Sequence, residues 1–159
     1  MYSIEDYDNH GVLKPGFFLI ACTAYVARFL LFGPLSLVAG RAMRGREALD
    51  VSFLTDASPL EMLSSIPAVI ILFIMLARKP NSPDWMKLMW KHARALLALS
   101  VSAQLIIVIN RVFYGHELSL VEFIVGMVNA YLLVYFSLNN RPKAVFSMFP
   151  EKNETSTSN

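Results

Sequence analysis

The 159-residue chain is 55% apolar, carries a formal net charge of +2 and holds one cysteine, Cys22. This composition excludes an ordinary soluble domain, and the single thiol excludes an intrachain disulfide or a thiolate metal cluster. The basic residues flank apolar runs instead of forming a stripe, so nucleic acid is set aside as a partner.

The first segment, 1–15, begins MYSIEDYDNHGV. It is acidic and has no basic leader region, so no cleavage is expected. Glu5, Asp6, Asp8 and His10 lack the fixed scaffold of a metal site and are read as a solvated turn. No metal and no cofactor is expected.

Residues 16–39 form the first apolar run, including FFLIACTAYVARFLLF. Arg28 lies near its middle, where a guanidinium at bilayer depth costs about 2.5–3.5 kcal/mol and therefore needs partners inside the protein. Pro34 is expected to free the carbonyl of Leu30. The polar stretch GRAMRGREALDVSFLTDAS follows.

The second helix is predicted over 59–77. Ser58-Pro59-Leu60-Glu61 reads as a capping box, a hydroxyl N-cap with a glutamate three residues on. Pro67 within this helix removes one amide and displaces the carbonyl of Leu63.

Ser82-Pro83-Asp84 predicts a third start, with Ser82 as cap, well before the apolar run from Ala93 to Val112. A helix over 83–112 would be about 45 Å long and overhang a hydrocarbon core of about 30 Å. On the overhang Lys87, Lys91 and Arg94 share a face, while Trp85 and Trp90 supply amphipathic bulk. These five residues are read as an interfacial lipid contact. An ordinary basic anchor is the plainer reading and a lipid-regulated site the sharper one.

The fourth helix is predicted over 119–138, with Ser119 and Glu122 repeating the capping box. His116 and Glu117 precede it without a metalloprotease spacing. Residues 141–159 form a tail whose polar end is expected to be disordered, and its Asn153-Glu154-Thr155 sequon is read as coincidental.

Aligned by depth, Arg28, Gln104 and Asn129 fall near one level, with Pro67 close by. Ser100, Gln104 and Arg111 make one polar stripe; Glu122, Gly126 and Asn129 make another. Both are expected to face the bundle interior. Glu122 is a poor counter-ion for Arg28, because the two side chains lean in opposite directions. The expected partners of Arg28 are Gln104, Asn129 and the carbonyls freed by Pro34 and Pro67.

The fold class expected is therefore all-α, a polytopic membrane protein with four transmembrane helices in a compact bundle. Nine basic residues (Lys14, Arg78, Lys79, Lys87, Lys91, Arg94, Arg141, Lys143 and Lys152) fall on one side, against four (Arg41, Arg44, Arg46 and Arg111) on the other. That bias places both termini in the cytoplasm.

Short motifs add a resemblance. They are Tyr7-Asp8-x-His10-Gly11-x-Leu13-x-Pro15, Ala27-Arg28 with Leu31-Phe32, Ala39-Gly40 with Gly45, Phe53, Pro67-Ala68, and Arg78 with Pro83 and Trp85. The chain resembles the YfeZ-like family of small, uncharacterised bacterial inner-membrane proteins from Tyr7 through the third helix, and the likeness fades in the fourth. The family often has a second proline where Gly16 stands. The resemblance implies a bacterial inner-membrane location and no assigned activity.

No catalytic constellation, phosphate loop or dinucleotide fingerprint is present. The expected role is a non-enzymatic accessory or assembly factor that acts in the lipid bilayer through a membrane-protein partner. The alternative is a homo-oligomeric channel or carrier with a polar midplane path. A lipid-modifying enzyme is third.

Overall fold

The computed structural model describes residues 7, 12–33, 58–114 and 119–150. Among these the chain is helical: α1 (Phe17–Val26), α2 (Pro59–Ala77), α3 (Asp84–Phe113), α4 (Leu120–Leu138) and α5 (Asn140–Ser147). A further helical stretch over 28–33 follows α1. There is no strand among the described residues, and an isolated antiparallel bridge pairs Tyr7 with Leu13. Three helices, α2, α3 and α4, are long and apolar enough to cross a membrane; α1 is apolar but shorter.

The starts of α2 and α4 follow from their caps. Ser58 Oγ accepts the Glu61 N–H at 3.3 Å, while the Ser58 N–H donates to Glu61 Oε2 at 2.7 Å. At α4 the Glu122 N–H donates to Ser119 Oγ at 3.2 Å and the Ser119 N–H to Glu122 Oε2 at 3.0 Å. Each box satisfies amides that a helix start leaves without intrahelical partners.

The cap expected at Ser82 is corrected. Pro83, at φ −62° and ψ 153°, is itself the residue flanking the helix, and α3 has no side-chain cap. Ser82 stands one position too early, so its hydroxyl accepts the Lys79 N–H at 2.9 Å and closes the preceding turn. α3 nevertheless runs for 30 residues.

α3 lies at the centre, packed against α2, α4, α1 and α5. Its direction opposes α2 and α4, because Arg111 near its end meets the first turns of both, while Arg94 near its start bonds the carbonyls of Phe136 and Ser137 at the end of α4. A core of Ile71, Ile74, Leu97, Val101, Leu132 and Phe136 fills the interfaces.

The apolar core encloses several polar groups, and much apolar surface faces outward. Thr23, Ser65, Ser100, Gln104 and Asn129 are buried, while Phe73, Leu76, Leu99, Ile106, Phe123 and Met127 are exposed. Only 22–33% of each span is buried within the chain. Apolar surface of this extent marks a site of contact with a membrane or another protein.

The end of the bundle where α3 begins is closed by two segments. α5 starts on Asn139, whose Oδ1 accepts the Arg141 N–H at 2.9 Å, and turns Pro142, Val145 and Phe146 inward. From the N-terminal side, Leu13 is buried and its carbonyl accepts from Arg78 Nη2 at 3.2 Å. Gly16, which flanks α1, has φ −60°. That value suits proline, but a Cβ there would lie 3.3 Å from Arg141 Nη2.

Candidate functional site

The single helix expected over 16–39 is broken at Ala27, which ends α1. The Leu30 N–H, which an unbroken helix would direct at the carbonyl of Val26, bonds Ala27 O at 3.1 Å. The carbonyl of Val26 is thereby released from the helix ladder. Two neighbouring helices meet it, Ser65 Oγ of α2 at 3.0 Å and Gln104 Nε2 of α3 at 2.9 Å. Gln104 Nε2 also donates to Ser65 Oγ at 3.2 Å. Buried backbone oxygens demand partners, and here side chains supply them.

Arg28 follows the break directly. Its Nη1 donates to Tyr25 O at 3.0 Å and to Gln104 Oε1 at 3.3 Å. The guanidinium carbon lies 4.2 Å from the ring centroids of both Tyr25 and Phe29. The side chain is buried, and its charge is met by a carbonyl, an amide oxygen and two ring faces, each a recognised cation partner. Gln104 is the hinge of this network: its oxygen takes the arginine and its nitrogen takes the broken backbone.

The structure thus brings Arg28 and Gln104 together and adds Ser65 and the Val26 carbonyl, which sequence reasoning missed. Ser64-Ser65 inside an apolar run was the available signal for Ser65. The break itself has no proline or glycine to announce it. Asn129 is fully buried, but neither its Oδ1 nor its Nδ2 has a partner, and Ser100 Oγ is likewise unpartnered. Pro67 lies inside α2, yet the bonds of Arg28 run to Tyr25 and Gln104. Pro34 lies outside the described residues, as do Glu5, Asp6, Asp8, His10, Arg41, Arg44, Arg46, His116, Glu117 and the 151–159 tail.

A second arginine joins three helices at the end where α2 and α4 begin. Arg111 Nη2 lies 3.1 Å from Glu61 Oε1, and Nη1 lies 3.5 Å from Glu122 Oε1. The two capping glutamates therefore share one guanidinium, each using its other oxygen for its own cap. The sequence reading found both caps but not the clamp between them.

The five residues grouped as a lipid contact divide. Trp85, Lys87 and Lys91 are exposed. Trp90 is turned the other way and corrects that grouping: it is 1% exposed, its Nε1 donates to Met148 O at 2.8 Å, and Phe146 and Phe149 pack edge-on against it. Residues 144–149 cover it because α5 folds back, which the tail's mixed composition did not announce. Arg94, half-buried, caps the end of α4 through the Phe136 and Ser137 carbonyls, where a cation also meets the negative end of the helix dipole.

Among the described residues no group of three or more His, Cys, Asp or Glu side chains is placed to hold a metal. Over the described residues the geometry defines an all-helical protein with three helices long and apolar enough to cross a membrane and an apolar core that two arginine networks join. Residues 2–148 match the family described as "Protein of unknown function (DUF2919)", and the chain belongs to it. No curated protein and no solved structure matches.

Proposed function

We propose that this is a multi-pass protein of the bacterial inner membrane, with four crossings and both termini in the cytoplasm, acting as a non-enzymatic accessory or assembly factor through membrane-protein partners. The observation that carries this reading is the commitment of Arg28. An intramembrane cation is a functional candidate by default, but here its bonds and both of its ring contacts run to neighbours inside the bundle. It acts as a pin, and function is left to the outer surfaces.

The first crossing is a broken helix that starts at Phe17 and continues past Ala27. Seventeen residues, 17–33, are helical or in the turn at Ala27, about 25 Å of rise. The hydrocarbon core is about 30 Å thick. The donors sent to Val26 by Ser65 and Gln104 support this placement, because a broken helix persists at membrane depth only where neighbours satisfy its freed backbone.

The test is affinity purification of the tagged chain from its native membrane in mild detergent. A defined larger complex is expected; recovery of the chain alone at every detergent strength overturns the partner role. Orientation is read separately, with a cytoplasm-dependent fluorescent reporter at the C-terminus that should be bright.

One observation favours the alternative, a homo-oligomeric channel or carrier. Asn129 and Ser100 are buried with unpartnered polar atoms, and such groups ordinarily meet water or a ligand. Solute or ion flux in proteoliposomes that is lost in Asn129→Leu would promote that reading.

A further inference from the structure

Between the first turns of α3 and the short helix α5 lies a cavity of about 470 Å³. Four cations line it: Lys87, Lys91 and Arg94 from α3, and Lys143 from α5. Among the described residues no carboxylate lines it. Lys87 pairs at 3.2 Å with Asp84, a fully solvated neighbour outside the cavity. Arg94 is bonded to the end of α4 and contributes charge more than free donors. Lys91 and Lys143 are exposed, and no ion pair engages either among the described residues.

The remaining wall is aromatic. Trp90, Phe146 and Phe149 line the cavity and pack edge-on around the indole. Trp90, whose N–H is committed to Met148, and Phe146 are almost fully buried, so the half-buried Phe149 is the ring that offers carbon surface to the space. Beside it on α3, Trp85 and Leu88 are exposed. A cavity with cations on one side and aromatic carbon on the other matches an amphiphile better than a fully hydrated ion.

We propose that this cavity binds the phosphate headgroup of an anionic phospholipid, with Lys91 and Lys143 on the phosphate oxygens and Phe149 against the glycerol. The four lining cations disfavour zwitterionic headgroups, whose ammonium they would repel and for which no described lining residue offers a counter-charge. The position on the part of α3 that overhangs the span sets the cavity at headgroup depth. Occupancy would tie α5 to α3. The proposal rests on the membrane placement given above and not on the partner role.

The test uses the full chain purified in neutral detergent and read by native mass spectrometry during titration with phosphatidylglycerol, phosphatidylcholine or inorganic phosphate. One phosphatidylglycerol per chain is expected, with clear preference over phosphatidylcholine and no displacement by inorganic phosphate at equal concentration. Each lysine near an anionic headgroup is worth about fivefold in binding, so Lys91→Gln with Lys143→Gln should weaken it about 25-fold. Lys79→Gln, an exposed lysine that does not line the cavity, should bind like wild type. Both cavity lysines are exposed, so folding is preserved, and equal melting of the lipid-free proteins verifies it. Equal binding by the double variant, equal binding of the two lipids, or displacement by inorganic phosphate overturns the proposal. Membrane placement is read independently, by retention in the membrane fraction after alkaline carbonate.

Discussion

Arg28 and Arg111 are both arginines at helix interfaces, and they are neutralised in opposite ways. Arg111, about one-third exposed, takes two carboxylates, Glu61 at 3.1 Å and Glu122 at 3.5 Å. Arg28, 6% exposed, takes a backbone carbonyl, an amide oxygen and two aromatic faces. The two guanidiniums differ in exposure, although Glu61 is itself as buried as Arg28. Bringing a second full charge into the interior adds its own desolvation penalty, whereas fixed dipoles and ring quadrupoles are desolvated cheaply and still point negative density at the cation. At the helix ends Arg111 and Glu122 keep about a third of their side-chain exposure, and both carboxylates, the buried Glu61 included, are already placed by their caps.

Substitutions sharpen the comparison, with thermal unfolding in detergent as the common readout. The largest effect is expected for Arg28→Lys, which should destabilise by about 3 kcal/mol, because an ammonium keeps the buried charge but loses the planar contacts to both rings. Arg28→Leu should be milder, since it removes charge and penalty together. A lysine variant as stable as the leucine variant would break the argument.

Gln104→Leu comes next, at about 2 kcal/mol, because it leaves both Arg28 and the Val26 carbonyl short of a partner. The loss should fall to a fraction of that in an Arg28→Leu background, and a double-mutant cycle measures the coupling. Additive effects would separate the two residues.

Arg111→Gln should cost about 1–2 kcal/mol, most of it from the stranded Glu61. Only this network should respond to salt. Raising ionic strength from about 0.1 to 1 M shortens the Debye length from about 10 to 3 Å, so the wild-type advantage over Arg111→Gln should shrink while the penalty of Arg28→Lys stays constant. The smallest change expected is for Ser119→Ala, about 1 kcal/mol or less from one lost cap. Ser82→Ala should not fray the start of α3, since that hydroxyl bonds Lys79 in the preceding turn.

What the sequence determined by itself was whatever depends on neighbours a few positions away. The capping boxes at Ser58 and Ser119, the long third helix and the inward stripe of Ser100 and Gln104 all follow from helical spacing and side-chain hydrogen-bond geometry within a turn or two. Ser82 marks the limit of such local rules, because one residue of shift turned a helix cap into a turn closure.

Tertiary structure alone decided the rest. The break at Ala27 carries no proline or glycine; it persists because Ser65 and Gln104, 39 and 78 positions away, bond the carbonyl it frees. Trp90 is buried because Phe146 and Phe149 return across it from the far end of the chain. One guanidinium joins Glu61 to Glu122 because α3 runs antiparallel to both neighbours. A buried polar group takes whichever partner packing brings within about 3 Å, and that choice is made by how helices meet, which no local pattern encodes.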